Sequence, residues 1–96
     1  MTVQVRMPNM LRQAAGGQPS VRAEGATIGE VFEDLVRQHP VLRPSLLTPE
    51  GKLHRHLNVF VNDDDVRYLG NLDAKVNERD TITLMPAVAG GATNAL

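Results

Sequence analysis

The 96-residue chain has no cysteine, no tryptophan and only three aromatic residues, Phe32, Phe60 and Tyr68. Without cysteine there is no disulfide, no thiolate metal site and no cysteine nucleophile. With so few aromatics, the core has to be aliphatic, built from Val, Leu, Ile and Met. An excess of one charge is also missing. Ten Lys and Arg stand against eleven Asp and Glu, for a net charge of −1. Binders of nucleic acid or anionic membranes carry a basic excess or cluster, so neither is expected as a partner. No stretch approaches the ~20 apolar residues of a membrane span, and Met1 to Met10 lacks the basic start and apolar run of a signal peptide. The expectation is a soluble, cytoplasmic protein.

What is present is enough apolar residue, 42% of the chain, for one small domain. "TVQVRM" alternates, with Val3, Val5 and Met7 on one side and Thr2, Gln4 and Arg6 on the other, which predicts a half-buried strand. Gly16, Gly17 and Pro19 mark a turn, and "SVRAEG" returns as a second strand. Then the period changes. Thr27 and Glu30 form a capping box, and Ile28, Val31, Phe32, Leu35 and Val36 follow as one helical stripe. Arg37 and His39 suit the negative end of the dipole and Pro40 stops the element, so the helix is predicted over Ile28 to Gln38.

Residues 40–55 hold three prolines and a glycine and read as a long connection with one short helical turn. "LNVFVN" alternates, with Leu57, Val59 and Val61 inward and Asn58, Phe60 and Asn62 outward. "NDDD" predicts a tight turn, "VRYL" a short returning strand, and "NERD" a further turn. "TITLM" closes the fold as a strand with Ile82 and Leu84 inward and Met85 outward. One helix over one face of a mixed sheet is a two-layer α+β sandwich. With the first and last strands side by side in the middle, this is the ubiquitin-like β-grasp arrangement. The expected limits are a domain over 1–89 and a flexible tail over 90–96.

Residues with catalytic potential are few. His54 and His56 are two apart and would point the same way on an extended segment, where Asp63, Asp64 or Asp65 could add a third metal ligand. No strict ligand motif supports this, and the acidic trio is explained by the turn, so no metal site is expected. Ser20 and Ser45 lack a nucleophile-elbow context, and Gly16–Gly17 is not followed by a helix or by Lys-Ser/Thr, as a phosphate loop requires. Phe60 and Met85, outward and apolar, with Pro86 beside them, are candidates for partner docking.

The remaining feature is the run "PAVAGGATNAL". Two glycines in succession form the narrowest peptide available, so "AVAGG" reads as a thin arm able to thread into a partner's active site. The β-grasp pattern with "VNDDDVR", "DTITLMPAVAGG" and "MPNMLR" resembles the ubiquitin-like sulfur carrier proteins, the ThiS/MoaD family, over Val3 to Gly91. "KLHRHLNVFVND" and "PAVAGG" are most similar to its cysteine-biosynthetic CysO branch.

The resemblance implies a carrier rather than an enzyme, with no cofactor bound. The implied site is Gly91, whose carboxylate is adenylated with ATP by an ubiquitin-activating-like adenylyltransferase and sulfurtransferase and converted to a thiocarboxylate. Ala87, Val88, Ala89 and Gly90 would give the arm reach and slimness. The implied acceptor is a biosynthetic synthase, cysteine synthase-like, thiazole synthase-like or other, with a JAMM-type metalloprotease for processing or product release.

Two departures stand out. Glu78-Arg79-Asp80 replaces the family's Asp-Gly-Asp turn, and "ATNAL" follows Gly91. The extension is a propeptide, a cloning remnant, or the mark of a copy that kept only docking. Processing between Gly91 and Ala92 is the favoured expectation. The rival readings are a ubiquitin-like interaction module without tail chemistry and, more remotely, a small metal-dependent enzyme.

Overall fold

A computed structural model describes residues 2–86. Its five-stranded sheet runs in the order β2-β1-β5-β3-β4, with β1 at Thr2–Arg6, β2 at Ser20–Glu24, β3 at Leu57–Val61, β4 at Asp64–Asp65 and β5 at Thr81–Pro86. β1 and β5 lie parallel at the centre, and the pairs β1–β2, β3–β5 and β3–β4 are antiparallel. Two short helices, α1 (Asn9–Arg12) and α3 (Arg43–Leu46), flank the main helix α2 (Ile28–Gln38). This is a β-grasp fold, as the alternation and the single long helical stripe predict.

The bounds of α2 coincide with those read from the sequence, because its ends are chemically marked. Thr27 Oγ1 accepts from the Glu30 N–H (3.2 Å), and Glu30 Oε1 accepts from the Ala26 N–H (2.9 Å). The carboxylate thus reaches one residue further back than in an ideal capping box. Gly25 permits this entry. A Cβ there would lie 2.6 Å from Val31 N and 2.8 Å from Glu30 Cβ.

Ile28, Val31, Phe32 and Leu35 are completely buried against Val3, Val5, Val59, Ile82 and Leu84 of the sheet. Val36 and Leu57 pack at the margin. Among the described residues no polar or charged side chain is buried. Phe32 is the one aromatic in this core, and the rest is aliphatic with Met7.

Two segments differ from the reading of the alternation. "VRYL" is a 3-10 turn over Val66–Tyr68, not a strand. Asp65 caps it by accepting from the Arg67 N–H (2.9 Å) and also grips the Arg67 guanidinium, Nη2 lying 2.7 Å from Oδ2. A strand would place Val66 and Tyr68 on one face, but Val66 is buried and Tyr68 is 84% exposed. The strand pairing occurs earlier, inside "NDDD". Asn62 at φ 57° opens a two-residue turn with Asp63, and Asp64–Asp65 pairs back on Val61 and Phe60. The helical turn α1, between β1 and β2, is an element the turn signals had hidden.

Candidate functional site

β5 aims the tail. Ile82 and Leu84 anchor it in the core, while Thr83 and Met85 face the other side of the sheet. Over Ile82–Thr83 it is held on both edges, by β1 and by β3. Beyond Thr83 it keeps only β3, through Asn58↔Met85 and Leu57↔Pro86.

β1 has left by then. The Met7 N–H donates to the Pro19 carbonyl (2.8 Å), and Pro8 turns the chain into α1. Pro86 therefore lies in a gap between α1 and the segment 54–57.

That gap is a groove of about 230 Å³, floored by Pro8, Met10, Leu11, Pro44, Leu57 and Pro86, with His54 and His56 on its wall. The two imidazoles stand 5.3 Å apart, and His54 Nδ1 accepts from the His56 backbone N–H (3.1 Å). They sit on a turn rather than an extended segment. Asp63, Asp64 and Asp65 lie at the other end of β3, since Val61 pairs with Asp64 while Leu57 adjoins His56. The triad imagined from the sequence is therefore not assembled. Among the described residues no three His, Asp or Glu are grouped to hold a metal ion.

A second groove, of about 380 Å³, opens on the opposite side of Pro86 and includes Arg6, Arg12, Thr83 and Met85. Of the docking candidates, Met85 is 49% exposed and Pro86 half-buried. Phe60 faces outward as expected but is half-buried, flanked in register by Asp65 and Thr83. Thr83 pairs with Phe60, so Met85 is the diagonal neighbour of Phe60 on the same face. Pro86 belongs to the other face. Ala87, Val88, Ala89, Gly90, Gly91 and Ala92, and with them the boundary at 89/90, lie outside the described residues.

Sequence reasoning missed the surroundings of the tail root. "MPNML" had signalled them, with a proline at the start of a helical turn and two apolar residues behind it. The charges that are perturbed lie away from the root. Asp34 is held below its ordinary value of 3.8, first by the Glu24 N–H and then by the Gln38 amide. Asp65 is lowered first by its hydrogen bonds from the Arg67 side chain.

Residues 5–91 match the ThiS family. The chain belongs to that family. This ThiS-family chain is 45% identical to the sulfur carrier protein CysO of Mycobacterium tuberculosis over 93 residues, covering 95% of this chain and all of the relative. A chain in the crystal structure of the Amycolatopsis orientalis BexX/CysO complex superposes with a TM-score of 0.85 at 48% identity, covering 93% of this chain and 99% of that one. Small archaeal modifier protein 1 of Haloferax volcanii is 33% identical over 84 residues, 84% of this chain and 91% of the relative. Among the described residues no helix is long and apolar enough to cross a membrane.

Proposed function

We propose that this chain is a sulfur carrier protein, a co-substrate of other enzymes rather than an enzyme. The observation that carries the reading is the family match, which ends on Gly91 after a strand that delivers the chain to the edge of the fold. In the chain as written Gly91 is followed by Ala92, so its carbonyl is locked in a peptide bond. Hydrolysis of that bond, by a JAMM-type metalloprotease or another peptidase, frees the carboxylate.

A carboxylate is a poor electrophile because its charge is delocalised over both oxygens. An ubiquitin-activating-like adenylyltransferase supplies a leaving group: the carboxylate attacks the α-phosphorus of ATP, pyrophosphate departs and an acyl-adenylate forms. A sulfide equivalent then displaces AMP and leaves the thiocarboxylate on Gly91. Ala87, Val88, Ala89 and Gly90 carry it into a sulfur-accepting synthase. The similarity to CysO favours a cysteine synthase-like acceptor.

The resemblance to small archaeal modifier proteins favours a second reading, in which the activated Gly91 acylates an amine of another protein. Mass spectrometry of protein from its native host separates the two. The expected species ends at Gly91, alone or heavier by the difference between a sulfur and an oxygen atom. Conjugates through Gly91 to lysine would establish the modifier reading instead. A chain that stays intact to Leu96 and forms no thiocarboxylate with activating enzyme, ATP, sulfide and protease would refute the carrier reading.

A further inference from the structure

β2 forms one edge of the sheet and β4 the other. β4 is only Asp64–Asp65, too short to template a further strand and self-repelling in charge. β2 is longer, Ser20–Glu24. The Met7 N–H donates to the Pro19 carbonyl, so antiparallel alternation makes Val5↔Val21 and Val3↔Ala23 the hydrogen-bonded pairs. Ser20, Arg22 and Glu24 therefore turn their N–H and carbonyl groups away from β1. An edge of that kind invites another strand.

Two of those outward groups are already taken, both by α2. The Glu24 N–H donates to Asp34 Oδ2 (3.0 Å), and the Arg22 carbonyl accepts from Gln38 Nε2 (2.9 Å). The two caps brace each other, since Gln38 Nε2 also donates to Asp34 Oδ2 (2.8 Å). Arg37 Nη1 holds the other carboxylate oxygen, Oδ1, at 2.9 Å. Spacings of three and four residues bring Asp34, Arg37 and Gln38 together on one side of the helix. None of them fills the core: Asp34 is half-buried, Arg37 and Gln38 exposed.

The strand left open would be complementary to itself. With Arg22 opposite Glu24 of a second copy, a twofold axis passes between the two Ala23 residues. Each opposed pair then exchanges both of its backbone bonds, and each arginine faces a carboxylate, twice by symmetry. That register needs the Glu24 N–H and the Arg22 carbonyl, the two groups that Asp34 and Gln38 hold.

We propose that Asp34 and Gln38 form a latch that closes the β2 edge against a second copy of this chain. Releasing it lets two copies join their five-stranded sheets through β2, Arg22 against Glu24. The latch goes beyond the carrier reading and does not rest on it.

Sedimentation equilibrium of the full chain, wild type against the double variant Asp34→Ala, Gln38→Ala, tests this. Wild type must break both caps before pairing and the variant neither, so dimerisation should tighten by about 10-fold or more. Hydrogen exchange should show the outward Arg22 N–H protected in the dimer only. Adding Arg22→Glu, which opposes like charges, should dissolve the dimer, and adding Glu24→Arg as well should restore it. Should the double variant lose its urea transition, Gln38→Ala alone carries the test, with a smaller gain in the same direction.

A folded variant no more dimeric than wild type would overturn the latch. So would a dimer indifferent to the charge at position 22, or protection gained at Phe60–Asp65, which would put the contact on β4.

Discussion

The two phenylalanines should behave as opposites. Phe32 lies on the stripe of α2, completely buried and surrounded by aliphatic side chains that cannot close over a missing ring. Truncation of a buried Phe costs about 3–5 kcal/mol, transfer and cavity together, out of the 5–15 kcal/mol that stabilises a domain. Unfolding entropy near 2.1 cal/mol/K per residue gives about 0.2 kcal/mol/K for a chain of this size, so Phe32→Ala should lower Tm by roughly 15–25 °C. Phe60 is half-buried on the outer face, with no enclosed volume to leave empty. Its truncation should cost about 1 kcal/mol, or ~5 °C. Urea and thermal unfolding of both variants, followed by circular dichroism, decide the matter. Equal losses, or a larger loss at Phe60, would refute the layering in which α2 covers one face of the sheet.

Gly25→Ala should destabilise by about 1–3 kcal/mol, because the new methyl meets the backbone of Val31 and the Glu30 side chain rather than a movable side-chain tip. A urea midpoint equal to wild type would show that the entry to α2 has room to spare. Acid stability follows from Asp34, whose carboxyl is lowered in the fold by the Glu24 N–H and the Gln38 amide. A lowered folded value contributes stability that is complete above the ordinary 3.8 and is lost as pH falls through the folded value. The stability advantage of wild type over Asp34→Asn should therefore hold at neutral pH and vanish under strongly acidic conditions. A difference that stays constant with pH would contradict the assignment.

The elements legible in the sequence were those with local chemical signatures. α2 could be read to the residue because a capping hydroxyl, an apolar stripe and a terminating proline are all covalently near one another. β1, β2, β3 and β5 declared themselves through alternation over five or more residues. "VRYL" did not, since its apolar–polar alternation is too short to distinguish a strand from a 3-10 turn. What decided it was Asp65 turning to hold Arg67. α1 was hidden for a similar reason: four helical residues make barely one turn, and their apolar members count only once the core is there to receive Leu11.

The candidate site divides the same way. The glycine pair, the strand before it and the family they signal are local, and the sequence alone determined them. It also determined the peptide bond to Ala92, which keeps Gly91 from being a carboxylate in the chain as written. Where the arm takes root was a tertiary matter. Pro8, Pro44, His54 and Pro86 are far apart along the chain and meet because β1 and β5 run parallel at the sheet centre while β3 runs back between them and β4. The same register sent Arg6 and Glu24 to opposite ends of one hairpin. Composition counts charges without positions; only strand pairing assigns them to an end.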